Sequence, residues 1–333
     1  MPGIKALRKC QITCEAVAGT IKAATTLWRG TGMIKDNRNV VLVKEDIGYL
    51  SGVNRSYVPK LGGAITFAEC PATFEQLPYI FTCGIEALTT GAADTTSGTG
   101  KVYTYALATT AQKTPTTLTI EAGDNQEAEV MEYCFVDTFR LAGKAGEAVQ
   151  MSADWIGRQV AVQAFTAGQA APAVEDILTG KGALYIDAIA GTAGTTLKSS
   201  TLLGFDLTVK TGFTPVMTVD NLYFTLLKQT EPEVKLNLTF EHDATSAAEK
   251  VFWRAGTARQ LQLKFTGSVI STQGTYLTKT LKLTFAGLYD SFSVIDENSG
   301  NDIVTASFIA RYDLVNSKAP FTAVVANALA SLT

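Results

Sequence analysis

The chain has 333 residues, of which 46% are apolar and 18% charged, and its formal net charge is -3. That length holds two domains of ordinary size with a sizeable core, and the mild negative balance excludes the clustered Lys and Arg of a duplex-DNA binder. Five Cys at irregular spacing exclude a disulfide framework, no stretch approaches the roughly 20 apolar residues of a membrane span, and the basic N-terminus lacks the apolar run of a secretory signal; together these point to a reducing cytoplasm.

In chain order, residues 5–16 carry helical spacing and residues 20–29 read as a strand ending at Gly30-Thr31-Gly32, so 1–36 is an arm plus a first strand. A β-branched run at 40–43 and a strand at 64–69 form a hairpin with a long excursion, 44–63, punctuated by Gly48, Gly52, Pro59, Gly62 and Gly63. Residues 71–84 read as a helix, with Thr73 as N-cap, Gln76 three residues on, Leu77, Ile80 and Phe81 as the apolar stripe and Gly84 at C′. A polar Thr/Gly/Ala loop follows at 89–100. Alternation marks strands at 102–107, 116–121, 130–139, 148–156, 203–211, 221–227, 234–240, 260–267, 277–289 and 303–312. A second helix spans 245–256, with Ala248, Val251 and Phe252 inward.

Part of this pattern occurs twice. Ala72-Thr73, Phe81 and Gly84 recur as Ala244-Thr245, Phe252 and Gly256. Met131, Tyr133, Phe135 and Phe139 match Leu281, Leu283, Phe285 and Tyr289, and Met151, Ala153, Trp155 and Ile156 match Val304, Ala306, Phe308 and Ile309. The helices are offset by 172 positions (244 − 72) and the first of these strands by 150 (281 − 131), so copy one carries an insertion between helix and strand, expected on the surface. The expected fold is mainly β: two tandem β-sandwich or barrel modules, each flanked by one short α-helix. The first is 1–165 with its N-terminal arm, 166–182 is a linker, 183–313 is the second module and 314–333 an Ala-rich C-terminal tail.

Chemistry-bearing constellations are absent from this pattern. The one histidine, His242, stands before the second helix and reads as a solvent-facing residue of the capping region; a triad or a His-rich metal site needs more. Cys10 and Cys14 have i, i+4 spacing but no second pair, and read as buried thiols. The run Ser97-Gly98-Thr99-Gly100-Lys101 lacks the earlier Gly and the following Ser or Thr of a phosphate loop. Glu45-Asp46 and Asp296-Glu297 are adjacent pairs in polar segments, the usual setting of solvated carboxylates rather than of an acid and base held apart in a cleft. Trp28, Trp155 and Trp253 are scattered and do not form a base-stacking platform. The expectation is a non-enzyme with no catalytic residue, no cofactor and no metal.

The run Arg38-Asn39-Val40-Val41-Leu42-Val43-Lys44-Glu45-Asp46-Ile47-Gly48-Tyr49-Leu50, then Tyr57-Val58-Pro59 and Ala72-Thr73-Phe74-Glu75-Gln76-Leu77, resembles the major tail (tail tube) proteins of long-tailed bacteriophages, best over residues 20–85. The second copy departs from it by lacking the Glu-Asp-Ile-Gly-Tyr-Leu segment. The resemblance implies tail-tube-like modules whose sheet edges are completed by neighbouring chains, six modules to a ring and rings stacked into a tube. Two modules per chain give a trimeric, pseudo-sixfold ring; one tube module per chain gives six chains with the second half outside. Ring stacking is assigned to the excursion 44–63, with Glu45, Asp46, Tyr49, Arg55 and Tyr57, against a much shorter counterpart at 210–218. The implied partners are further copies of the chain, a tape-measure protein, and tail terminator and baseplate proteins; DNA passes through a hydrophilic, neutral to acidic lumen without specific binding, and no membrane is involved. The implied location is the virion tail, assembled in the host cytoplasm. The alternative is another phage virion β protein, a capsid decoration or baseplate component.

Overall fold

Alternation makes this chain a β protein. Val234, Leu236, Leu238 and Phe240 are buried on one face of a strand while Lys235, Asn237 and Thr239 lie on the other, the signature of an antiparallel sheet packed on one side only. The computed structural model describes residues 2–96 and 98–332; Ser97, in the run that partly matches a phosphate loop, lies outside the described residues. The fold is mainly β.

The first half contains β1 (Lys9–Cys14), β2 (Thr26–Leu27), β3 (Lys35–Asp36), β4 (Val41–Lys44), β5 (Val53–Tyr57), β6 (Gly63–Pro71), α1 (Leu77–Gly84), β7 (Ala92–Ala93), β8 (Lys101–Ala106), β9 (Leu118–Gly123), β10 (Ala128–Lys144), β11 (Gln150–Gly157) and β12 (Val160–Val162). The second contains β13 (Gly182–Ala188), β14 (Leu197–Lys198), β15 (Leu202–Lys210), β16 (Phe213–Met217), β17 (Phe224–Gln229), β18 (Glu233–Glu241), α2 (Ala244–Arg254), β19 (Arg259–Val269), β20 (Thr278–Phe292), β21 (Asp296–Asn298), β22 (Asn301–Ala310) and β23 (Phe321–Asn327).

Strand neighbours run β1–β9–β10–β11–β6–β3 in the first half and β13–β19–β20–β22–β18–β15 in the second. Chain order through the two sets is the same, each with its helix after the strand that ends the fourth link. β2 pairs with β1 and β14 with β13; β12 pairs with the start of β10 and β23 with the start of β20. A hairpin sits at the same place in each, β4–β5 and β16–β17, and both span 17 residues (57 − 41 + 1 and 229 − 213 + 1). β10 and β20 each leave one set of partners for another partway along. In each, one residue is skipped where pairing with the next strand shifts register, Asp137 between Val136 and Thr138, and Asp290 between Tyr289 and Ser291; such bulges bend a strand and redirect it.

Two joints connect the halves. β10 pairs with β15, so one antiparallel sheet runs β3–β6–β11–β10–β15–β18–β22–β20 through both. β23 pairs with β8 on one side and β20 on the other. The buried cluster under these sheets is continuous, from Trp28, Phe67 and Trp155 through Phe139 and Phe81 to Phe285, Phe308 and Phe321.

Several sequence expectations change. Residues 5–16 are not helical: Lys5–Leu7 makes one 3-10 turn, and β1 follows with Cys10, Ile12 and Cys14 buried, because i, i+2, i+4 also lies on one face of a strand. Within 20–29 only Thr26–Leu27 is strand. The run at 40–43 does not pair with 64–69; β4 pairs with β5 inside the supposed excursion, and β6 pairs with β11 and β3. The counterpart of that excursion is the full β16–β17 hairpin, not a short loop at 210–218. The insertion in copy one is only partly superficial: the loop 89–100 is mostly exposed or half-buried, but β8 after it pairs with β23 and buries Tyr103 and Tyr105 fully. The tail 314–333 contains β23, paired on both sides. The stretch 166–182 is irregular but pinned, with Ile177 buried, its N–H donated to the Ala72 carbonyl (2.8 Å) and its carbonyl accepting from Val149 N–H (2.8 Å). Each of the ten alternating segments overlaps a strand.

The helices revise both caps: α1 starts after Gln76, which makes no side-chain cap hydrogen bond, and Thr73 closes the turn before it. Thr73 Oγ1 accepts from Gln76 N–H at 3.1 Å and donates to Gln76 Oε1 at 3.2 Å, although the regular helix starts at Leu77. Gly84 is not a left-handed C′ residue; a Cβ there would sit 3.1 Å from Val136 Cβ and 3.2 Å from Thr211 Cγ2, so it permits a close approach. In α2 the cap is Asp243, in a capping box with Ser246, and Gly256 takes the left-handed conformation at φ +59°. Ala248 and Val251 are exposed rather than inward; Ser246 and Glu249 are buried.

Candidate assembly surface

The eight-stranded sheet buries one face and leaves the other uncovered. On β6, β11, β10, β15, β18 and β22 the uncovered side carries Thr66 and Glu69, Ser152 and Asp154, Thr138 and Arg140, Asp206 and Thr208, Lys235 and Asn237, and Thr305. These side chains pair among themselves. Arg140 forks onto Asp206, Nε to Oδ1 at 2.8 Å and Nη2 to Oδ2 at 2.9 Å, and reaches Glu69 Oε2 through Nη1 at 3.0 Å. Thr66 Oγ1 donates to Asp154 Oδ1 at 2.6 Å, and Lys210 Nζ to Glu233 Oε2 at 2.7 Å. The guanidinium donors are already taken by carboxylates in the bidentate geometry that would otherwise grip phosphate. The face is hydrophilic, with opposite charges interleaved and no large field of one sign.

The second surface is the pair of hairpins. Glu45, Asp46, Tyr49, Arg55 and Tyr57, the five residues assigned from sequence, all lie on β4–β5 and its tip. Arg55 binds Glu45 Oε1 through Nε at 2.9 Å and Nη2 at 2.8 Å, and Glu45 N–H donates to the Gly52 carbonyl at 2.7 Å, which closes the tip; Asp46 is exposed. Tyr49 is 78% exposed, and Leu42, Ile47, Leu50 and Tyr57 are exposed with it. On β16–β17 and its tip, Met217, Val219, Leu222 and Leu226 are exposed too. Leu61 N–H donates to the Leu222 carbonyl at 2.7 Å, tying the second tip to the strand leaving the first. Contiguous exposed apolar groups of this kind mark contact surfaces. Sequence reasoning missed the second hairpin, whose alternation at 221–227 had been read without its partner strand.

Elsewhere the titratable groups are structurally occupied. Glu121, 1% exposed, accepts from Thr166 N–H at 2.7 Å and Thr166 Oγ1 at 2.6 Å. Glu15 accepts from Gly19 N–H (2.7 Å), Tyr133 N–H (2.9 Å), Thr117 Oγ1 (2.6 Å) and Thr119 Oγ1 (3.0 Å). Glu132 pairs with Arg158 and Glu249 with Arg259. Glu15, with two donors on each oxygen, has no lone pair free for general-base work. Burial pushes the thiols of Cys10 to about 11 and Cys14 to about 12, and Cys83 and Cys134 well above their ordinary value. They stay protonated and are poor ligands or nucleophiles at neutral pH. Among the described residues no cluster of three or more His, Cys, Asp or Glu is placed to hold a metal.

His242 is exposed beside Asp243, as expected. Glu297 Oε1 accepts from Gly300 N–H at 2.7 Å in the exposed β21–β22 turn, so Asp296-Glu297 belongs to a hairpin and not to a cleft. A groove of about 380 Å³ between β10–β15 and β13–β19 is lined by Gly143, Leu184, Phe205, Leu263 and Phe265 and holds no carboxylate, whereas a larger one of about 510 Å³ on the uncovered face holds Glu147 and the Glu69 and Asp206 carboxylates that Arg140 binds. No helix among the described residues is long and apolar enough to cross a membrane. The chain matches no protein-family model and no curated protein.

Proposed function

We propose that this chain is a structural subunit of a phage tail tube, in which three copies form a pseudo-sixfold ring and rings stack around a channel for DNA. One observation carries the reading: the same strand order is used twice, and the two uses share one continuous sheet whose uncovered face is hydrophilic. A sheet that already passes from one repeat to the next is suited to pass from one chain to the next, and closing it into a ring removes its edges. The uncovered face then lines the channel, where occupied cations release few counterions to passing phosphate. The exposed hairpins are the stacking elements, contacting in a heterologous, non-closing way that builds a filament. Tape-measure, terminator and baseplate partners and a virion location belong to the same reading, as does the absence of enzymatic activity.

The test is the chain expressed alone, viewed by negative-stain electron microscopy and sized by light scattering. Discs or tubes with a central hole and three chains per disc are expected. A stable monomer at high concentration overturns the reading, and six chains per disc overturns the assignment of both halves to the ring.

A further inference from the structure

The joint inside the chain specifies where the joint between chains falls. β10 is flanked by β11 on one side and, over residues 138–144, by β15 on the other. β20 holds the corresponding place in the second half and is flanked by β22, but its pairing with β19 stops at Gly287 and with β23 at Phe285. Beyond them, Ser291 and Phe292 stay against β22, 293–295 are irregular and β21 returns to β22; on the other side the Trp253 indole donates to the Asp290 carbonyl at 3.1 Å, and no strand among the described residues lies past it. At the opposite margin of the sheet, β3 and the residues before it lie against β6, through Lys35↔Ala64 and Ala68 N–H to the Thr31 carbonyl at 2.8 Å; Cys10 Sγ donates to the Gly32 carbonyl at 3.2 Å, and among the described residues no strand pairs beyond them. β15 holds the corresponding place beside β18.

The bulges and pairings set the register. Asp137 and Asp290 differ by 153 positions. Ala64 pairs with Ile156 and Lys235 with Ile309; Lys35 pairs with Ala64 and Thr208 with Lys235, so β3 and β15 differ by 173. Arg140↔Thr208 then translates to Ser293↔Lys35; past Ser293 one residue is added, since Asp296 rather than Ile295 pairs with Ile303, so Ala142↔Asp206 translates to Asp296↔Met33. Inside the chain, Thr211 N–H donates to the Asp137 carbonyl at 3.0 Å just beyond the pairing; the same shift brings Arg38 opposite Asp290, two exposed residues of opposite charge. Met33, Val294 and Ile295 are exposed at these margins, at 42%, 82% and 52%. Uncovered strand edges bearing exposed apolar side chains are templates for another chain.

We propose that residues 291–297 receive residues 31–37 of a second copy of this chain as an antiparallel neighbour, in the register that joins β10 to β15. This deepens the tube reading and rests on it for ring closure. The contact is heterologous, since one margin meets the other, so it propagates in one direction until the ring closes.

Paired cysteines test it in the full-length chain under assembling conditions. Lys35→Cys and Ser293→Cys are made singly and together, with wild type as the control for native thiols, and cross-linked by mild oxidation or a short bismaleimide. Neither single variant should cross-link to itself, their mixture should give covalent dimers and nothing larger, and the double variant should give a ladder ending at three chains. A single variant that dimerises shows a two-fold contact and overturns the proposal. Rings seen by microscopy with no cross-link in the mixture overturn the edge assignment and leave the tube reading standing. A ladder running past three supports the edge contact and overturns three-chain closure. A monomer that never cross-links overturns both.

Discussion

The two helices follow equivalent strands yet are held in opposite ways. Every residue of α1 is buried, and its Phe81 packs on Phe139 at 5.4 Å and Tyr105 at 5.6 Å between ring centroids. α2 is a surface helix with a capping box; among its residues only Ser246 and Glu249 are buried, and Glu249 meets Arg259 through Oε1–Nη2 at 2.8 Å and Oε2–Nε at 3.0 Å. Phe252 lies over that guanidinium at 4.1 Å. The cause lies outside the helices. In the first half the inserted β8 and the terminal β23 wrap over α1, and Tyr105 donates its hydroxyl to the Pro78 carbonyl at 3.2 Å. Among the described residues no corresponding strands cover α2, so a polar outer face suits it. What surrounds a helix decides whether its sequence must be apolar throughout or on one stripe only.

The largest expected effect breaks each helix by its own mechanism. Phe81→Ala should cost about 3–5 kcal/mol by leaving a cavity under α1. Glu249→Ala should cost a similar ~3–5 kcal/mol for a different reason, a buried Arg259 left without its partner. Replacing Glu249 and Arg259 together by Leu and Met should restore most of the loss, as seen in denaturant unfolding; no recovery would show that the pair holds α2 by more than mutual neutralisation.

Next come the two glycines that sequence placed in one role. Gly84→Ala should cost about 1–3 kcal/mol through overpacking against Val136 and Thr211. Gly256→Ala should cost about 1 kcal/mol through a left-handed backbone in open space. Asn separates the cases in thermal melts: at 256 it should recover part of the loss, at 84 it should deepen it. Asp243→Ala should remove about 1 kcal/mol with the α2 cap, measurable by the same melts.

The smallest effect concerns what ties the halves. Lys279 Nζ, from β20, binds Glu75 Oε1 at 2.6 Å before α1 and Glu175 Oε2 at 3.1 Å in the 166–182 stretch. Burial works against the charge of Glu175, but hydrogen bonds from Ser268 and Lys279 outweigh it and hold the carboxyl below its ordinary value. Asp187 is likewise held low, burial being outweighed by donors from Thr195 and Thr196. Both bind a proton less readily folded than unfolded. Their contribution is therefore present above about pH 4 and fades as the pH falls through the lower folded values. Lys279 runs the other way: burial lowers it, Glu75 and Glu175 more than offset this, and its contribution is present below its ordinary value and lost as the pH rises through the raised one. Glu175→Gln should flatten the acid limb of a melting-temperature profile; an unchanged limb would remove this triad as a joint.

Alternation by itself determined the mainly β character, ten strand positions and the hint of repetition, because a half-solvated strand writes its two faces into neighbouring residues. A strand enclosed on both faces need carry no such contrast: Gln11 and Thr13 on β1 are as buried as Ile12, and β1 has helical spacing instead. Most of β23, which read as a tail, is likewise buried. Only the tertiary structure decided which strands pair, that an insertion supplies a strand to the sheet, that the two hairpins correspond, and which margins of the sheet stay open. Those outcomes depend on contacts between residues far apart in the chain, and no local pattern of side chains encodes where a backbone hydrogen bond finds its partner.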